Sequence, residues 1–284
     1  MQIHSYTAHS PVKALRWQIL SLRRLLGELK RLPPLPHRGV LKKSRMLKNS
    51  RSGPAIVAAT GPSLNFIPEE LLFYFKNNDA LFGVNHYLLT DKGQSVAPTY
   101  QVLIDDYHFT KKGSLDPVEL EFRQQLKKVN IKYIVQRYST MRLNDHSDQI
   151  FIFGHVLPGI SRSINPLRVV GFVPNSSLFA ISIALYLGFS PIYVTGLDYD
   201  YHKYIAFDGD TLVLKRHHSY ESGVHSKPWL GRENIPDLLD SIAFAVDSMK
   251  LLAKSKDVFV IGSEGSVDAF PRISLESLTS KYLK

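Results

Sequence analysis

Residues 169–197 read VVGFVPNSSLFAISIALYLGFSPIYVTGL, the longest stretch of the chain without a charged side chain. A run of this length is either a membrane span or the buried heart of a domain. Pro174 and Asn175 near its start, and Gly188, Ser190 and Pro191 towards its end, break it into pieces too short to span. The pieces read as a buried helix over 176–187, a turn, and a buried strand over 192–195.

Outward from this unit the same alternation repeats. Short β-rich runs fall at 55–59, 80–84, 100–104, 132–136, 150–153 and 258–261. Helical patterns fall at 68–77, 117–127 and 236–253. In the last of these Leu238, Leu239, Ile242, Val246, Met249 and Leu252 form an apolar face, and Pro236 suits the first turn. Nearly continuous apolar strands alternating with helices predict a parallel sheet covered on both faces. The expected fold is α/β: a single Rossmann-like domain over 54–284 with a mainly parallel sheet. It is preceded by a basic amphipathic helical extension over 1–53. Residues 198–231 are expected as a long polar excursion, a lid or acceptor loop over about 199–231.

Charge is distributed unevenly. The net charge of +10 comes from 35 Lys/Arg and 25 Asp/Glu, and residues 1–53 hold 12 of the bases but only one acid, Glu28. The body is therefore close to neutral, which argues against nucleic acid as its partner. In the extension, Val12, Leu15, Ile19, Leu22, Leu26 and Leu29 fall on one helical stripe. Lys13, Arg16, Arg23, Arg24, Lys30 and Arg31 lie mostly elsewhere on the helix. A second basic cluster follows at Arg38, Lys42, Lys43, Arg45, Lys48 and Arg51. Such a segment suits an anionic membrane surface through residues 12–51, or packing on the body, or pairing with a second copy as a homo-oligomer. It lacks the uninterrupted apolar core of a signal peptide. The chain has no cysteine, which removes disulfides, thiol catalysis and iron–sulfur clusters and fits a reducing compartment. Together these place the protein in the cytoplasm, peripheral at the inner face of the membrane.

In a parallel α/β sheet ligands bind beyond the carboxyl ends of the strands. Those ends carry Thr60-Gly61-Pro62-Ser63, Asn85, Asp105-Asp106, Gly196-Leu197-Asp198 and Ser263. The first turn has one glycine rather than the three of a dinucleotide fingerprint, so a nicotinamide cofactor is not expected. One glycine followed by Pro-Ser still admits a phosphate or sugar near the backbone. Asp198 and Asp200, and Asp105 and Asp106, are acidic pairs of a kind that holds magnesium against a diphosphate.

Read in order, these motifs resemble glycosyltransferase family 42, the bacterial sialyltransferases that use CMP-sialic acid. The likeness rests on Gly61 to Leu64, Asn85, Asn175-Ser176-Ser177 opening the run Ala180 to Leu185, Leu187-Gly188-Phe189, Ile192 to Asp198, Ala206-Phe207-Asp208 and His225-Ser226-Lys227. The same turn and fold occur in related flagellin-modifying transferases and in archaeal pterin pyrophosphokinases.

The resemblance implies a CMP-sugar site lined by Thr60, Gly61, Ser63, Asn85, Asp105, Asn175, Ser176 and Ser177. The family usually has Asn at the positions of Thr60 and Asp105, and at the latter an amide donor becomes a charged acceptor. The resemblance also implies tyrosine hydroxyls on the leaving phosphate, matched to Tyr201 and Tyr204. His225 falls where the family has its general base, with Val224 replacing a glycine and His218 as the rival.

No cofactor or metal is expected for the transfer. The implied reaction moves sialic acid or a related nonulosonic acid from a CMP donor to a glycan or lipid-linked glycan, with inversion. A magnesium- and ATP-dependent pterin pyrophosphokinase and a non-catalytic sugar-nucleotide-binding protein are the alternatives.

Overall fold

The structure is a computed structural model. It describes residues 19, 38–105, 108, 117–137, 147–152, 161–168, 170–171, 175–198, 205–208, 211–216, 225–230, 249–255, 257–262 and 268–283. In chain order the elements are α1 (Arg38–Met46), β1 (Ala55–Ala58), α2 (Glu69–Asn77), β2 (Leu81–Val84), α3 (Asp91–Ser95), β3 (Tyr100–Leu103), α4 (Pro117–Lys128), β4 (Tyr133–Arg137) and β5 (Asp148–Ile152). They continue with α5 (Ser176–Leu187), β6 (Ile192–Thr195), β7 (Ile205–Asp208), β8 (Thr211–Arg216), β9 (His225–Leu230), β10 (Val258–Ile261), β11 (Arg272–Ile273) and α6 (Leu275–Tyr282). Single turns of 3₁₀ helix follow β1 at Pro62–Phe66 and β2 at Asn85–Leu89. Of the expected last helix, residues 249–253 are helical, and 236–248 lie outside the described residues.

The expected α/β architecture is the one observed. Eight strands form one sheet in the order β11-β10-β6-β1-β2-β3-β4-β5, and its pairings are parallel. The chain builds outward from β1 to β5, then returns through α5 to lay β6 on the other side of β1. The strand order therefore reverses between β1 and β6, which is where such sheets open a crevice at their carboxyl edge. All four residues of β1, β2, β3 and β6 are buried, because helices cover both faces.

The register stacks aromatic rings across the sheet. Phe82 pairs with Tyr100 and Tyr100 with Tyr133, so their rings lie 4.3 and 4.9 Å apart, nearly parallel. Arg51 closes this ladder, donating from Nε to the Tyr100 hydroxyl (3.2 Å) and from Nη2 to the Tyr133 hydroxyl (3.1 Å).

The α5 helix explains the uncharged run. It is apolar on all sides and ten of its twelve residues are buried, as expected of a helix enclosed by protein. Asn175 caps its start, its Oδ1 accepting from the N–H groups of Ser177 (2.9 Å) and Leu178 (3.1 Å). Gly188 ends it with φ +102°, in the left-handed region that favours glycine. No helix among the described residues is long and apolar enough to cross a membrane.

Two regions differ in detail from the sequence reading. The segment expected as a polar excursion contains a three-stranded antiparallel sheet, β7-β8-β9. The physical reason is legible afterwards: Asp208 pairs with Thr211, and Gly209-Asp210 between two β-rich runs is a hairpin signal. Part of the second basic cluster is engaged by the body. Lys43 pairs with Asp148 of β5 at 2.6 Å, and Ser44 Oγ accepts from the Phe151 N–H. The stripe from Val12 to Leu29 lies outside the described residues, apart from Ile19.

Candidate functional site

The reversal between β1 and β6 is closed by two interlocked turns. Gly196 has φ +70°, which lets the backbone after β6 fold back over the end of β1. The Gly61 N–H donates to the Gly196 carbonyl (3.0 Å), and the Gly196 N–H donates to Ser63 Oγ (2.9 Å). The Ser63 N–H donates to Asp198 Oδ2 (3.1 Å). Packing is close enough that a Cβ on Gly61 would sit 2.3 Å from Asp198 Oδ2 and 2.5 Å from the Gly196 oxygen. Glycine at 61 is thus required by approach rather than by its own φ. The Asp198 carboxylate thereby takes up the Ser63 N–H of the Gly-Pro-Ser turn.

The second part of the site is built at the ends of β2 and β3. Asn85 takes φ +49°, a left-handed conformation that Asn tolerates better than most residues. The Gln101 side chain secures it, donating from Nε2 to the Asn85 carbonyl at 2.7 Å. Asn85 Nδ2 donates to Asp105 Oδ2 (3.0 Å), and Ser176 Oγ donates to the same oxygen (3.1 Å). One carboxylate oxygen therefore joins the ends of two strands to the first residue of α5. Asn85 Oδ1 is buried and accepts no hydrogen bond. A buried acceptor of this kind costs about 1–3 kcal/mol until a donor reaches it.

Behind Asn85 and Asp105 lies a buried group that the sequence reading did not single out. Glu119 Oε2 meets His86 Nε2 at 3.1 Å and His108 Nδ1 at 2.9 Å, and Arg123 Nε donates to Glu119 Oε1 at 3.0 Å. The signal was available. Glu119 falls on the face of α4 that also carries Phe122 and Leu126, and a carboxylate on an apolar face needs partners. Burial pushes the His108 imidazole below its ordinary value, against the opposing pull of Glu119. Burial alone would raise the Glu119 carboxyl. Hydrogen bonds from His108, His86 and Arg123 outweigh that and bring it down to about 2.

Gly61 and Ser63 thus meet Gly196 and Asp198, while Asn85, Asp105 and Ser176 meet each other. Thr60 sits on the same turn as Gly61, and Asn175 and Ser177 form the cap of α5. His225 opens β9, paired with Arg216, and its side chain lies outside the described residues. Tyr201, Tyr204 and His218 lie outside them as well.

Two outcomes test this geometry. Gly61→Ala should destabilise the protein by about 1–3 kcal/mol in urea unfolding, the usual cost of forcing an extra carbon into a packed site. Unchanged stability would mean the two turns do not interlock. The buried cluster sets an acid sensitivity, read in EDTA so that only protons act on it. The unfolded chain protonates His108 near its ordinary 6.5 and Glu119 near 4.5, whereas the folded protein resists both. Stability should be full above about 6.5 and fall as pH drops below it, with a second loss from about 4.5 towards 2. Glu119→Gln should flatten that second loss.

No family model matches the chain, and no curated protein matches it. Among solved structures the chain is similar to the MAf glycosyltransferase from Magnetospirillum magneticum AMB-1, at 14% identity and a TM-score of 0.49. The likeness covers 84% of this chain and 40% of that one, so the chain spans well under half of that protein's length.

Proposed function

We propose that the protein is a glycosyltransferase that takes a nonulosonic acid, such as sialic acid, from a CMP donor and passes it to a glycan hydroxyl with inversion. The observation that carries this reading is the convergence of Asn85, Asp105 and Ser176 beside the β1–β6 crevice. Residues that the family resemblance assigns to one nucleotide-sugar site, drawn from three distant parts of the chain, hydrogen-bond to one another.

The chemistry of the rim supports a division of labour. Asp105, Asp198 and the unpaired Asn85 Oδ1 are acceptors, suited to the amino group of cytosine and to sugar hydroxyls. They repel a phosphate, which is left to the positive end of the α5 dipole, whose Ser177 and Leu178 amides Asn175 caps, and to the hydroxyls of Tyr201 and Tyr204. As the bond from the anomeric carbon to the phosphate oxygen lengthens, the sugar gains oxocarbenium character and the phosphate gains charge. Those donors hold the leaving phosphate. His225 takes the proton of the acceptor hydroxyl, a task suited to an imidazole with an ordinary pKa of about 6.5. The region 199–231, with its small sheet, receives the acceptor. The basic side chains of segment 12–51 other than Lys43 and Arg51, which bond to the body, hold the enzyme to an anionic membrane where lipid-linked glycans are presented.

Thermal unfolding in the presence of CMP, CDP, UDP, and ATP with magnesium tests the donor. CMP without metal should raise Tm, corresponding to about 2.7 kcal/mol at a hundredfold excess over Kd. A response to ATP with magnesium alone would favour pyrophosphoryl transfer and overturn the reading. His225→Ala should cut CMP-sugar turnover by about 10²- to 10⁴-fold while CMP binding persists. Turnover unaffected by that change would remove His225 as the base.

A further inference from the structure

We propose that His86, His108 and Glu119 hold a zinc ion, with a fourth position left to water, that locks the loops carrying Asn85 and Asp105 onto α4. The three side chains come from separate parts of the chain, are buried, and turn one ligand atom each towards a common point. His86 Nε2 and His108 Nδ1 stand 3.1 and 2.9 Å from Glu119 Oε2. In tetrahedral zinc with bonds of about 2.0–2.1 Å, neighbouring ligand atoms lie about 3.3 Å apart. The two histidine–carboxylate pairs need to part by only a few tenths of an ångström to admit the ion, and the three ligand atoms lie within 4.8 Å of one another. Two imidazoles and a carboxylate are a donor set that zinc accepts readily, and harder ions such as magnesium do not.

The support around Glu119 is of the kind that metal sites use. Arg123 Nε holds Glu119 Oε1, which leaves Oε2 as the single ligating oxygen. An Arg123 Nη2 also donates to the His108 carbonyl, fixing the segment that presents the ring. Ligating carboxylates are commonly oriented by such outer hydrogen bonds. Without metal each ring points an N–H at the carboxylate. With zinc bound, His86 carries its proton on Nδ1 and His108 on Nε2. The tautomers invert, both rings stay neutral, and the three ligands keep a combined charge of −1.

The consequence lies next door. Asn85 immediately precedes His86, and the His108 N–H donates to the Asp105 carbonyl at 3.2 Å. A metal here would fix the two residues whose side chains meet at the rim, without taking part in any reaction there. Three other histidines stand close together in the sequence, His217, His218 and His225, and serve as a control.

The test uses the full chain. Metal content is measured on protein purified without chelator, and chelator-stripped protein is titrated with zinc chloride and with cobalt chloride. One zinc per chain is expected, with a rise in Tm on zinc addition and the visible absorption of tetrahedral cobalt. His108→Gln and Glu119→Gln should each abolish the cobalt band. Arg123→Gln keeps all three ligands and should weaken zinc about 10- to 100-fold. Combined His217→Gln and His218→Gln should leave uptake unchanged. Absence of stoichiometric zinc together with no cobalt band in the unaltered protein would overturn the proposal, and that result needs no variant to fold. Uptake that survives Glu119→Gln but is lost with His217 and His218 would overturn it equally.

Discussion

Asp105 Oδ2 accepts from Asn85 Nδ2 and from Ser176 Oγ, and the organisation of the carboxyl edge follows from that one oxygen. It lies just beyond β3, draws in the residue just beyond β2, and anchors the start of α5. The α5 helix is also the element that carries the chain back to place β6 against β1. The contact that shapes the candidate site is therefore part of what fixes the position of the reversal in strand order. A carboxylate is suited to this because it offers several lone pairs to donors arriving from different directions.

The acid character of the rim follows from the same geometry. Asp105 and Asp198 occupy the two sides of the crevice, each already accepting hydrogen bonds from the protein. Backbone N–H groups of Gly61 and Ser63 are used within the protein, so the first turn does not act as an open phosphate cradle. On the proposed function, a donor nucleotide entering here would be met first through its hydroxyl and amino groups. Its charge would be better placed towards the positive dipole end of α5, whose first amides Asn175 already caps.

The fold was largely legible in the sequence because its central strands are buried on both faces and read as short continuous apolar runs. β6 and β10 have the bounds expected from the sequence, and β1, β2 and β3 are shorter only by an end residue or two. The α5 helix was legible because Asn175 and Gly188 mark its ends chemically. What the sequence hid were pairings between distant residues. Nothing local to Glu119 names His86 and His108 as its partners, and only its place on an apolar helix face hints that it needs any. The β7-β8-β9 sheet was hidden for another reason: its strands are short, and the hairpin signal at Gly209-Asp210 was outweighed by the polar character of the segment around them.

On the proposed function the ends of β1, β2, β3 and β6 form one nucleotide-binding rim. Amide chemical-shift mapping of ¹⁵N-labelled protein titrated with CMP addresses it most directly. Saturable shifts are expected at Gly61, Ser63, Asn85, Asp105, Ser176 and Gly196. Shifts confined to the opposite edge of the sheet, around the polar groove lined by Lys76, Asp79, Lys132 and Asp148, would contradict it.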